Sequence, residues 1–86
     1  MAKIARNISQ MRNLGPATER MLRDVGINSA DELRAIGAVD AFLRLQFAQS
    51  GVSLNALYAM EAALLDIDWR ELPPERKSVL KRAVGR

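Results

Sequence analysis

Apolar positions recur at helical spacing along most of the chain, and strict apolar–polar alternation is not sustained anywhere. The clearest stretch runs from Arg12 to Leu33, where Leu14, Met21, Leu22 and Val25 fall on one helical stripe behind Gly15-Pro16. Pro16 suits a first helical position, because its ring presets φ and it has no N–H to leave unpaired there. Gly26 suits the left-handed residue that closes a helix, with Ile27 as the apolar contact that accompanies such a closure. Ser29 and Glu32 have capping-box spacing, which predicts a second helix that buries Leu33 and Ile36. The pattern therefore predicts helices over about 16–25 and 30–36 around a rigid turn.

The remaining elements follow from the same rules. Gly37 ends the second helix, repeating the closure at Gly26. A third helix over about 38–49 carries Val39, Phe42, Leu43 and Phe47, and Gly51-Val52 closes it in the same way. Ser53 caps the longest helix, about 54–65, whose stripe is Leu54, Leu57, Tyr58, Leu64 and Leu65. Asp66, Asp68 and Trp69 predict a turn that packs the single tryptophan back on the core. Tyr58 and Trp69 read as core rather than as a base-stacking platform, since no basic–aromatic interleaving surrounds them. Pro73-Pro74 blocks helix before it and admits one after it, over about 74–84. Upstream, residues 1–7 read as a flexible lead-in and Ile8–Met11 as a single helical turn. The fold class is all-α, one domain over residues 1–86 with about five short helices.

Composition narrows the chemistry more than the fold. Apolar residues make up 49% and charged residues 27%, the balance of a soluble protein. No run approaches the roughly 18 consecutive apolar residues of a membrane span, and Met1–Met11 lacks the apolar stretch of a signal peptide. A cytoplasmic protein without a membrane partner is expected. Cysteine and histidine are both absent, which removes thiol chemistry, the usual near-neutral general base and the commonest metal ligands. There is no nucleophile–base pair and no Gly-rich phosphate loop. Asp66, Asp68 and Glu71 lack the spacing of a calcium loop and read as a solvated turn. The expectation is a non-enzyme with no cofactor and no metal.

The net charge of +3 hides a division along the chain. Residues 1–23 carry net +4, residues 24–74 net −5 and residues 75–86 net +4. Basic ends that converge in space form a patch attracting an anion, whereas separated ends are solvated helix faces.

Candidate site residues cluster at the first turn. A helix N-terminus presents unpaired N–H groups and a partial positive charge, and glycine lets a backbone approach without a Cβ in the way. The N–H groups near Gly15, Ala17 and Thr18, with the Thr18 hydroxyl, suit one DNA phosphate, and Arg12 and Arg20 add charge. Pro16 has no N–H to offer. Such contacts position a duplex without reading its bases. The structural alternative is that this segment simply caps and orients the first helix. Glu61 falls on the apolar stripe of the longest helix, where a bare carboxylate is costly to bury. Its expected role is structural: accepting hydrogen bonds from the hairpin region or from an arginine, and so fixing the hairpin.

The pattern Leu14-Gly15-Pro16, Leu22, Gly26-Ile27, Leu33 resembles a helix-hairpin-helix unit. More broadly, RNLGPATERMLRDVGINSADELRAIGAVDAFLRL, followed by VSLNALYAMEAAL and DWRELPPERK, is similar to the C-terminal domain of TfoX-type proteins over Ile8 to Leu80. That resemblance implies a compact all-α bundle containing a helix-hairpin-helix-like unit, and a link to the regulation of bacterial competence. The hairpin is also similar to one in the C-terminal domain of the bacterial RNA polymerase α-subunit. There a glycine, a lysine two residues later and the next serine approach the DNA backbone. By position these are Gly15, Ala17 and Thr18, so the lysine is replaced here. Asn13 stands where helix-hairpin-helix units carry their first glycine. The expected function is a non-catalytic regulatory or accessory module. It binds duplex DNA weakly and without sequence preference through Arg12, Asn13, Gly15, Ala17, Thr18 and Arg20. The alternative is a protein–protein interaction module of the same fold, with another regulatory protein as partner.

Overall fold

The computed structural model describes residues 6–86. Residues 1–5, most of the expected lead-in, lie outside the described residues. Among the described residues the chain forms five α-helices and no strand. They are α1 (Pro16–Asp24), α2 (Ala30–Ile36), α3 (Ala38–Ala48), α4 (Leu54–Leu65) and α5 (Pro74–Ala83). Single 3₁₀ turns lie at Ile8–Gln10 and Trp69–Glu71. The Arg6 carbonyl accepts the Ala30 N–H at 2.9 Å, so the first 3₁₀ turn is tied to the start of α2.

Helix closure follows the expected chemistry at Gly26 and departs from it at Gly37 and Gly51. At the end of α1 the Ile27 N–H reaches Leu22 O at 2.9 Å and the Gly26 N–H reaches Arg23 O at 3.0 Å. Gly26 has φ 85°, and Leu22 and Ile27 are fully buried, the arrangement of a Schellman closure. The same pair of bonds ends α4, from Ile67 to Ala62 O and from Asp66 to Ala63 O, with Asp66 at φ 56° where a glycine is usual. Gly85 closes α5 likewise. Gly37 does not repeat it. With φ 86° and ψ 160° it is extended at ψ, and it serves as a one-residue joint. Its N–H ends α2 on Leu33 O, and its own carbonyl accepts the Ala41 N–H of α3. Nor does Gly51 close α3, which stops at Ala48 with the Gln49 N–H on Leu45 O.

Helix α4 packs against α3, α5 and the second 3₁₀ turn. Its buried residues, Leu57, Met60, Glu61, Ala62 and Ala63, extend around more than one side, as a helix enclosed by neighbours requires. Leu65, expected on its stripe, is instead exposed. The face that α3 buries is Ala38, Ala41, Phe42 and Leu45, spaced i, i+3, i+4, i+7. Phe47 lies five residues from Phe42, on a different side of the helix, and is 96% exposed; Leu43 is also exposed. Trp69 departs from expectation too. It is 44% exposed and does not return to the core, where Phe42 is fully buried. No helix among the described residues is long and apolar enough to cross a membrane.

Candidate nucleic-acid interface

The hairpin starts from two buried anchors, Met11 and Leu14, joined by a turn in which the Leu14 N–H meets Met11 O at 3.2 Å. Asn13, the third residue of that turn, has φ 72°. Turns with a left-handed third residue take Gly or Asn there, because a longer or branched side chain is strained. Asn13 thus supplies the conformation that a glycine supplies in other hairpins of this kind. Unlike glycine it also has an amide. Its Nδ2 donates to Ile67 O at 2.7 Å and its Oδ1 accepts the Trp69 N–H at 3.0 Å. Arg12, exposed, points Nη1 at Asp66 O, 3.4 Å away. The hairpin is therefore fastened to the left-handed end of α4.

A second fastening lies on the other side. The Ser9 N–H donates to Glu19 Oε2 at 2.9 Å, and Arg23 holds the other carboxylate oxygen at 3.2 Å. The Ser9 hydrogen bond, with the Arg23 charge behind it, holds the Glu19 carboxyl below its ordinary pKa. Asp68 has the same preference more strongly. The Arg70 guanidinium and the Arg70 N–H both bond it, and its pKa falls to about 2. Glu19 and Asp68 are thus occupied by arginine and backbone partners, while Asp66 meets the hairpin through its backbone carbonyl.

Between these fastenings the start of α1 is open. Gly15 is extended, at φ −142° and ψ −172°, and no side chain caps the helix. The first helical bond is Glu19 N–H to Gly15 O, so among the described residues the N–H groups of Gly15, Ala17 and Thr18 meet no protein acceptor. Gly15 and Thr18 are half-buried and Ala17 is exposed. Arg20 is exposed and joins no ion pair among the described residues.

Of the C-terminal basic segment, one residue is linked to the hairpin through Trp69. Lys77 of α5 places Nζ 6.0 Å from the centre of the Trp69 ring and 5.5 Å from that of Tyr58, and the Trp69 backbone is bonded to Asn13. Arg76 turns elsewhere, to Glu61. That carboxylate is 8% exposed, and its Oε2 accepts from Arg76 Nε at 2.8 Å and Nη2 at 2.7 Å. Of the two partners expected for Glu61 it is the arginine that is found. The pair holds α4 to α5 and does not touch the hairpin. Sequence reasoning missed the open ground beside Asn13, a hollow of about 180 Å³ lined by Asn13, Asn55, Ala59 and Trp69. Its signal in the chain was faint: a tryptophan among acids, two residues after Asp66-Ile67.

Fold and site together define an all-helical domain whose exposed feature is a hairpin opening onto an uncapped helix. The family follows from comparison. The chain belongs to the TfoX C-terminal domain family, whose model matches residues 4–84. It is similar to the crystal structure of an uncharacterised protein from Listeria monocytogenes in a triclinic form, with a TM-score of 0.83 and 37% identity over 87% of this chain and 85% of that one. A tetragonal form of a Listeria monocytogenes protein of unknown function matches equally, with a TM-score of 0.83 and 36% identity over 87% and 93% of the two chains. No curated protein matches.

Proposed function

We propose that this domain is a non-catalytic regulatory or accessory module that binds duplex DNA weakly through the hairpin, within the competence-related processes its family resemblance implies. The N–H groups of Gly15, Ala17 and Thr18 would hold one phosphate, with Arg12 and Arg20 adding charge and Asn13 fixing the turn. One observation carries the reading. Of the five glycines, Gly15 alone lacks a positive φ, and nothing lies within 4 Å of where its Cβ would stand. Neither the backbone nor the packing requires glycine there. Capping does not favour it either, since Ser, Asp or Asn would serve the helix better. A surface approached closely by another molecule's backbone accounts for the choice.

The test is fluorescence anisotropy with a labelled random-sequence duplex at low and moderate salt. Phosphate contacts predict binding that weakens steeply with salt. Arg12→Ala and Thr18→Ala should each weaken it. No binding at low salt would overturn this reading in favour of a protein-interaction module, for which the exposed Phe47 and Leu43 on α3 provide an apolar surface.

A further inference from the structure

We propose that the hollow beside Trp69 is a subsite for one unpaired nucleobase, so that the domain prefers duplex DNA adjoining a single-stranded segment. This rests on the hairpin reading above and adds to it a second, chemically different contact. The side chains lining the hollow supply what a base requires. Trp69 offers a large aromatic surface that is 44% exposed, although the residue is a tryptophan in a domain whose core takes Phe42. Aromatic rings that stack bases are sequence-tolerant, because every base has a π face. Lys77 Nζ stands over one face of the ring, 6.0 Å from its centre, and adds a positive charge beside the aromatic surface.

Hydrogen-bonding capacity separates the two asparagines of the hollow. Asn13 has both ends of its amide engaged, by Ile67 O and the Trp69 N–H. The Asn55 side chain, exposed at the first turn of α4, meets no partner among the described residues; its backbone N–H is the group that bonds Ser53. Its carboxamide can therefore donate to and accept from a base edge, the pairing asparagine makes with adenine. Ala59 leaves room above it. The volume of about 180 Å³ suits one planar base.

The spacing relative to the hairpin is set by the chain itself. Asn13 bonds the Trp69 backbone, and Gly15 follows two residues later, at most about 7 Å along the backbone. A phosphate at Gly15 and a base at Trp69 would thus belong to nearby nucleotides, a few apart at most, of one strand. Closed duplex offers the phosphate but keeps its bases stacked. A strand leaving the duplex offers both.

The chain contains one tryptophan, so its fluorescence reports this site alone when excited to the red of tyrosine. The experiment titrates the purified domain with a blunt duplex and with the same duplex carrying an unpaired oligo(dA) tail. The expected result is saturable quenching by the tailed duplex, with affinity about tenfold above that for the blunt one. Trp69→Ala should bring the tailed duplex down to the blunt value and leave blunt binding in place, while Trp69→Phe retains part of the advantage. Asn55→Ala should reduce the advantage without touching blunt binding. Circular dichroism melts confirm that each variant is folded. Equal affinities with no quenching, while Arg12→Ala and Thr18→Ala still weaken blunt binding, would overturn the base subsite and leave the hairpin reading standing. No binding of either DNA would overturn both.

Discussion

Gly15→Asp is the substitution on which a capping role and a phosphate-binding role give opposite signs. Gly15 precedes α1 in extended conformation, the backbone state of an N-cap, and a Cβ added there meets nothing within 4 Å. An aspartate side chain would accept the free N–H of Ala17 or Thr18, satisfying donors that now lack a protein partner. Replacing glycine by a capping side chain is worth a few tenths of a kcal/mol, and a negative charge at a helix N-terminus adds about 0.3–1 kcal/mol. Glu19, the acid already in the first turn, faces Ser9 and Arg23 and does not occupy the cap. The domain should therefore gain about 0.5–1 kcal/mol, or about 2–8 °C in Tm for a chain of this size. DNA binding should move the other way. The new carboxylate takes the same N–H groups and sets a negative charge where the phosphate would lie. Losing charge-assisted hydrogen bonds of about 1.5–3 kcal/mol corresponds to a drop of about 10- to 150-fold in affinity. Thermal melting by circular dichroism and anisotropy with a blunt duplex, on one preparation, measure both. A variant that merely damages the fold lowers both quantities. A Tm that falls would refute the capping geometry, and unchanged DNA affinity would refute the phosphate site.

Further outcomes follow from particular contacts. Asp68, held at about 2 against an ordinary 3.8, binds fewer protons folded than unfolded, so its interactions stabilise the fold above about pH 4 and are lost as pH falls towards 2. Asp68→Asn should lower Tm at neutral pH, and the difference from the parent should vanish near pH 2 in a series of thermal melts. Arg76→Ala leaves the Glu61 carboxylate buried without its partner; because Arg76 is half exposed, the cost should be about 1–2 kcal/mol by urea unfolding, below that of a fully buried pair. Asp66→Gly relieves a left-handed aspartate and should raise stability by about 0.5–1 kcal/mol, read as a shifted urea midpoint. Phe42→Ala should cost about 3–5 kcal/mol and leave the domain largely unfolded, while Phe47→Ala should stay within about 0.5 kcal/mol of the parent.

Helix positions were legible because their determinants are local. Pro16, Gly26, Ser29, Ser53 and Pro73-Pro74 act within a turn of where they stand, and α4 spans the residues that the pattern predicts. What each helix buries was less legible. On α3 four large apolar residues competed for the inner face, and the small Ala38 and Ala41 occupy it beside Phe42 and Leu45. Side-chain size alone therefore pointed to the wrong face for Phe47. Asp66 reads as a turn residue, and its left-handed φ is compatible with that, since aspartate tolerates this region better than most. The closure of α4 at Asp66 is local, but the contact it makes with the hairpin comes from more than fifty residues away, which no local window contains. The same distance hides the site. Asn13 and Trp69 are adjacent in space through one hydrogen bond across the fold.

Asn13 and Asp66 are the two non-glycine residues with positive φ among the described residues, and they meet at this junction. Each left-handed side chain carries a backbone cost of the order of 1 kcal/mol relative to glycine. Glycine at 13 would avoid that cost but lose the bonds to Ile67 and Trp69. Those bonds tie the turn that leads to Gly15 to the backbone of the residue whose ring lines the hollow. The position of the uncapped helix start relative to Trp69 is thus fixed by an amide that does not itself need to touch a ligand. Within the site, Asn13 serves geometry, while Gly15 and Asn55 have groups left unpaired. That division explains how the hairpin holds its backbone shape with alanine at position 17: the shape comes from Asn13, Leu14 and Pro16, not from a charged side chain.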